Sequence, residues 1–324
     1  MYNFTTLFDR NYLIKGLVLY NSLRKTRRAF TLYVLCMDDM TYDILAALGL
    51  KNVRLISLDE FEDAALKSVK PTRSAAEYCW TCTPSLPLYV LQAHPEVHLI
   101  SYLDADLFFF SDPQPIFDEF GNNSIMIIEH RFPAHLKYLE ANGIYNVEMV
   151  AFRRDESGLE CLKWWRERCL EWCFNRLEDG RLGDQKYLDD WPTRFAGVHV
   201  LGHLGAGVAP WNVEQYDVTE VDGKIMINGY PLVFYHFHQF YLLPNRKYFC
   251  SSSVYSRNRA FPMAIYSRYI EEIGQSVAMV RQVAPGFSYG IEGSLKIRLR
   301  AFASAHMPRP LKNFLKRLRP VVVC

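Results

Sequence analysis

Leu99-Ile-Ser-Tyr-Leu-Asp104-Ala-Asp106-Leu-Phe-Phe-Phe110 is the stretch on which the fold of this chain turns. An apolar strand runs into two carboxylates separated by one small residue. Side chains at i and i+2 of an extended segment point to the same side, so both carboxylates reach one cation. Open α/β sheets bind ligands beyond the carboxyl ends of their strands, and the pair sits at such an end. Hard oxygen ligands suit Mg2+ or Mn2+, which keep open positions for substrate phosphates. The plainer alternative is a strand closed by a solvated Asp turn, and the pair alone does not decide between the two.

Short β-rich runs at 3–8, 30–37, 53–58 and 97–103 alternate with helical patterns at 11–25, 40–49 and 59–69 and a proline-interrupted one at 74–93. This alternation predicts an α/β fold with a mainly parallel sheet flanked by helices. The second half differs: strands near 124–129 and 147–153, a helix from 155 to about 175, and a hairpin around Asp222-Gly223 leading into Pro231–Phe240. Mixed or antiparallel strands are expected there. At 324 residues and 50% hydrophobic, the chain buries a large core.

Charge divides the chain. Of its 37 Lys and Arg, eight lie within 293–324, where there is no Asp or Glu, which leaves residues 1–292 with a formal net charge of −6. A nucleic-acid binder spreads its bases over a face of the fold, so this distribution predicts no nucleic-acid partner. The expected division is a body over 1–292 and a basic amphipathic helical tail over 293–324 suited to an anionic membrane surface. The N-terminus lacks a basic start followed by an apolar run, and no apolar stretch approaches a membrane span, so a cytoplasmic location is expected, peripheral on the inner face of the inner membrane. In that compartment the eight cysteines read as reduced thiols.

Three further segments bear on the carboxylate pair. His236 and His238 are two apart in an aromatic run; a buried histidine is more often a hydrogen-bonded core residue, but two carboxylates in need of a partner favour a ligand role. Asp184 and Gln185 open a short helix, as a cap or as groups that hold sugar hydroxyls. His203–Asn212 is glycine-rich and ends on an aromatic platform at Trp211, which serves either close ligand approach or a tight turn.

In order along the chain, these motifs resemble the GT-A class of nucleotide-sugar glycosyltransferases, close to family 8 and to bacterial enzymes of surface-polysaccharide synthesis. The resemblance runs from Thr5 to about residue 245 and implies a Rossmann-like GT-A fold. It implies that Thr6, Asp9 and Asn11 meet the nucleotide and that Asp104 also touches the ribose. The expected ligands of Mn2+ or Mg2+ are Asp104, Asp106 and His236, with Asn146 facing the donor sugar and Asp184-Gln185 near the anomeric carbon. The implied reaction is transfer from a UDP-sugar to a glycan or lipid-linked glycan, with retention. Two departures stand out. Glu148 replaces a glycine and is expected to crowd or charge the sugar pocket, and the closing Lys-Pro-Trp is absent, which leaves His238 and Arg246 as candidates for the β-phosphate. Trp211, Tyr216, His130 and Arg131 are candidates for an acceptor cleft. A sugar nucleotidylyltransferase, whose basic glycine-rich loop Phe4–Gly16 matches poorly, and a catalytically silent GT-A binding protein are the alternatives.

Overall fold

The computed structural model describes residues 1–244, 247–252, 255, 262–291 and 321–323. Strands β1 (Tyr2–Phe8), β2 (Phe30–Cys36) and β3 (Val53–Ser57) alternate with helices α1 (Leu13–Lys25) and α2 (Asp39–Leu48). Two short helices, α3 (Leu58–Phe61) and α4 (Ala64–Val69), then lead to α5 (Ala75–Cys82) and α6 (Ser85–Ala93). Beyond them come β4 (Leu99–Leu103), β5 (Leu107–Phe109), α7 (Gln114–Phe120), β6 (Ile125–Glu129), β7 (Tyr145–Arg153), α8 (Glu156–Glu171), α9 (Trp191–Arg194) and β8 (Val198–Val200). Pro84 and Pro87 explain why the pattern at 74–93 is two helices: a proline inside a helix removes a hydrogen bond and clashes with the preceding turn.

The main sheet has seven strands in the order β3-β2-β1-β4-β7-β6-β8. β1, β2, β3 and β4 are mutually parallel, β7 runs antiparallel between β4 and β6, and β8 returns parallel to β6. The sheet is therefore mixed and mainly parallel. Its two faces bury separate apolar layers: α1, with Leu13, Leu17 and Val18, lies on one, and α5, α6 and α8, with Leu86, Leu91 and Trp165, lie on the other.

The second half adds a three-stranded sheet, β9 (Val218–Val221), β10 (Lys224–Ile227) and β11 (Tyr230–Pro231), with Asp222-Gly223 at the β9–β10 turn as expected. β12 (Phe234–His236) pairs antiparallel with β5, and β13 (Tyr241–Leu243) pairs with β14 (Lys247–Ser252). Helix α10 (Met263–Val283), which the predicted elements omit, packs on α1, where Lys25 meets the buried Glu272. A terminal strand, β15 (Val321–Val323), pairs with β14. The amphipathic tail helices expected within 293–324 otherwise lie outside the described residues.

Among the described residues no helix is long and apolar enough to cross a membrane. Six cysteines, Cys36, Cys79, Cys82, Cys161, Cys169 and Cys173, are free, whereas Cys250 is disulfide-bonded. This corrects the expectation of reduced thiols throughout, since spacing along a chain does not reveal how cysteines pair.

Candidate active site

β4 delivers the carboxylate pair and β7 holds it. The Asp104 N–H donates to Glu148 O at 2.9 Å and the Leu107 N–H to Asp104 O at 3.2 Å, so the Asp-Ala-Asp segment is a tight turn between β4 and β5. The partner comes from the neighbouring strand. β12 lies beside β5 with His236 opposite Leu107, and the Phe237 N–H donates to Asp106 O at 2.9 Å. That register carries His236 Nε2 to 3.1 Å from Asp106 Oδ1 and 3.7 Å from Asp104 Oδ2. One donor atom from each of Asp104, Asp106 and His236 lies within 4.8 Å of the others. Asp106 and His236 are buried and Asp104 is half-buried, so the cluster opens toward solvent on the Asp104 side.

Two carboxylates and one imidazole are a donor set that fits a divalent cation with positions to spare. The charges of the cluster act strongly on one another. Burial alone would push the His236 imidazole down, but Asp106 and Glu148 outweigh it and hold its pKa well above the ordinary histidine range. Burial pushes Asp106 up, yet His236 and Lys15 hold it well below the usual carboxylate range. For Asp104 burial wins, with Asp106 and Glu148 adding to it against His236, and its carboxyl rises to about 6.

Lys15 is a site residue that the motifs do not flag. Its Nζ is 3.6 Å from Asp106 Oδ2 and 4.2 Å from the Tyr12 ring centre, and the residue is buried. The available signal is a lysine between apolar neighbours, Leu13-Ile-Lys15-Gly-Leu-Val, on a helix that packs against the sheet.

At the end of β1, Asp9 Oδ2 accepts from Asn11 Nδ2 at 2.7 Å and Asp9 Oδ1 from the Asn11 N–H at 2.9 Å. Because β1 and β4 are parallel neighbours, this pair stands at the same carboxyl end of the sheet as Asp104. Thr6 is fully buried within β1. Asn146 is engaged inside the protein: its Oδ1 accepts the Glu148 N–H at 2.7 Å and its Nδ2 faces His130 Nε2 at 3.0 Å. Burial pushes His130 down to about 4, so its imidazole is neutral, with Nδ1 donating to Ile144 O and Nε2 accepting from Asn146.

Asp184 is buried and makes no side-chain capping bond to the helical turn that follows. Its carboxyl is pushed up to about 7 by burial and then by Asp104, while the Thr83 hydroxyl opposes the rise. Tyr102 OH donates to Asp104 Oδ1 at 3.1 Å. Gln185 Nε2 donates to Asn142 O at 3.2 Å, so its amide is tied to the loop before β7.

The glycine-rich loop is a packing device. A Cβ on Gly205 would stand 2.0 Å from Pro231 O, and one on Gly207 would stand 2.7 Å from both Arg131 Nη2 and Ile128 Cγ2. Arg131 donates to Ala206 O and to His203 O, and Trp211 Nε1 donates to His130 O at 3.0 Å. Trp211 and His130 are buried, so they back the site and do not line an acceptor cleft, contrary to expectation; Tyr216 is half-buried. Glu148 is fully buried and turned to His236, 2.9 Å from Nδ1, so it does not crowd the sugar pocket as expected. His238 is half-buried at the β12 end, 5.7 Å from His236 between ring centres, and Arg246 lies outside the described residues.

The chain is 32% identical over 292 residues to the uncharacterized protein YfnD of Bacillus subtilis (strain 168), covering 89% of this chain and 94% of that one. It is 34% identical over 242 residues to the uncharacterized protein YfnF of the same strain, covering 72% and 80%. Among solved structures it is similar to the galactosyltransferase LgtC in complex with donor and acceptor sugar analogs, with a TM-score of 0.51 and 16% identity over 84% of this chain and 95% of that one. It also resembles the apo form of the glycosyltransferase GlyE of Streptococcus pneumoniae TIGR4, with a TM-score of 0.50 and 12% identity over 90% of this chain and 66% of that one. No protein-family model matches. The fold is GT-A.

Proposed function

We propose that this chain, which belongs to the family of YfnD and YfnF, is a metal-dependent glycosyltransferase that moves a sugar, with retention, from UDP to a glycan or lipid-linked glycan. The observation that carries the proposal is the convergence of Asp104, Asp106 and His236 beyond the carboxyl end of the central strand of a GT-A sheet. Those three residues would hold Mn2+ or Mg2+, which supplies Lewis-acid stabilisation of the charge that develops on the departing diphosphate. The remaining work falls to the protein. Asp9 and Asn11, bonded to each other at the carboxyl end of β1, are suited to reading a base, whereas Thr6 and Asn146 are buried and support the proposed donor-binding set from within the sheet. Lys15 adds a fixed positive charge at the cluster, beside Asp106. Asp184 and Gln185 are assigned to the anomeric carbon; a carboxyl raised to about 7 can hold or release a proton near neutral pH.

The basic tail, outside the described residues apart from β15, is assigned to an anionic membrane surface on the cytoplasmic side, where a lipid-linked acceptor would be met. Incubation with a panel of nucleotide sugars and Mn2+, without acceptor, tests the activity. Slow release of a nucleoside diphosphate from one donor is expected. Pyrophosphate release would indicate a nucleotidylyltransferase, and silence with every donor would indicate a binding protein.

A further inference from the structure

Glu148 is a carboxylate where a carboxylate is costly. It sits in the middle of β7 with no exposed surface, and an acid in such a place normally needs a cation or hydrogen-bond donors to offset its desolvation. Its Oε1 has no hydrogen-bond partner among the described residues. Its Oε2 lies 2.9 Å from His236 Nδ1, and its backbone O accepts the Asp104 N–H at 2.9 Å. One residue thus touches both halves of the cluster, the histidine by its side chain and the Asp-Ala-Asp turn by its main chain. The loop opposite makes room for it: a Cβ on Gly207 would stand 3.0 Å from Glu148 Oε1.

We propose that Glu148 is a positioning residue for His236: by accepting the Nδ1 proton, its carboxylate fixes the tautomer in which Nε2 is the free donor atom facing Asp104 and Asp106. An imidazole binds a cation through one nitrogen, and the partner of the other nitrogen sets both tautomer and ring orientation. Here the ring is held on one side by Glu148 and in edge contact with Trp211, whose ring centre is 5.3 Å away, so Nε2 has a single direction to point. Glu148 therefore acts on cation affinity through His236. This role rests on the metal site proposed above.

The test compares the full-length protein with Glu148→Met, Glu148→Gln and His236→Ala, each titrated with Mn2+ alone while the free ion is read by electron paramagnetic resonance. Glu148→Met, similar in size but without an acceptor, is expected to bind Mn2+ about 10–100-fold more weakly. Glu148→Gln should fall between it and the wild type, because an amide oxygen still accepts from Nδ1. Nitrogen NMR of His236 with Mg2+ present supplies a readout that a purely structural role would not move. The wild type should show the Nδ1-protonated form alone, and Glu148→Met a mixture of tautomers. If Glu148→Met does not fold, Glu148→Gln carries both measurements. Unchanged Mn2+ affinity and an unchanged tautomer in the Glu148 variants, with His236→Ala weakened, would overturn the role of Glu148 and leave the metal site standing. Unchanged affinity in His236→Ala would overturn both.

Discussion

Asp104 and Asp106 differ in what surrounds them, so removing each should do different damage. The Asp104 side chain is 30% exposed and accepts one bond from Tyr102, whereas Asp106 lies buried between His236 and the Lys15 ammonium. Asp104→Asn should cost more than about a hundredfold in turnover, the usual loss when one group facing a developing charge is removed, and should not lower the melting temperature. Asp106→Asn should lose turnover and also stability, since it removes one carboxylate from a buried set of charges in which Asp106 faces both His236 and Lys15. Equal melting temperatures for the two variants would contradict this asymmetry. Asp184 carries the opposite sign. Its folded pKa of about 7 stands above the 3.8 of a free carboxyl, so between those values the unfolded chain has released a proton that the folded one keeps, and stability falls as pH rises through that window. Asp184→Asn abolishes this titration. It should therefore melt above the wild type at about pH 7.5, by roughly 2–4 °C per kcal/mol, and lose the advantage below about pH 4, while donor turnover collapses. A variant less stable than the wild type at the higher pH would show that the partners of the carboxylate, Thr83 among them, outweigh its burial.

At the scale of elements, β12 does what no motif announces by itself: the register that sets His236 opposite Leu107 turns two distant segments into one cluster. The Asp-x-Asp turn is legible in the sequence because its geometry is local, as i and i+2 at a strand end. The parallel strands β1 to β4 are legible for the same reason, since each is a short apolar run between helical patterns. What resists reading depends on contacts between distant segments. Glu148 resembles an intruder in a sugar pocket until β7 is seen to face β12, and Lys15 resembles an ordinary helix lysine until α1 is seen to lie against the Asp106 turn. Helix α10 is a different case, because Ile265, Tyr266, Tyr269, Ile273 and Val280 recur at helical spacing and are all buried, so its signal is present locally. The glycine-rich loop allows a test at this scale. Gly207 and Gly223 share a left-handed backbone, with φ of +65° and +72°, but a Cβ on Gly207 meets Ile128, Arg131 and Glu148 while one on Gly223 meets nothing within 4 Å. Gly223→Ala should cost only the backbone strain of about 1–3 kcal/mol. Gly207→Ala should cost more in urea unfolding and also weaken Mn2+ binding, and equal losses would show that the loop does not brace the cluster.

For the whole molecule, the asymmetry of charge is the property that the fold does not explain. The body carries a formal excess of acid, and the bases of residues 293–324 have no acids among them. Two described contacts bear on how to test their role. Ile291 bridges to Leu242, and β15 pairs with β14, so the segment between them starts and ends on the body. A deletion would remove β15 and bare an edge of β14, and any loss of function could then be blamed on lost structure. Neutralising the charge is the cleaner change. Changing Lys312, Lys316, Arg317 and Arg319 to Gln leaves the ends in place and removes half of the eight bases. Each base near an anionic bilayer contributes about 1 kcal/mol before screening, so the four together should lower binding to phosphatidylserine-containing vesicles at least about tenfold at low salt. Binding of the wild type should itself weaken as salt is raised and be absent on neutral vesicles, and hydrolysis of the donor in solution should be the same in both proteins. Equal vesicle binding by the wild type and the Gln variant, or none by either, would remove the membrane from the account and leave the tail as part of the fold.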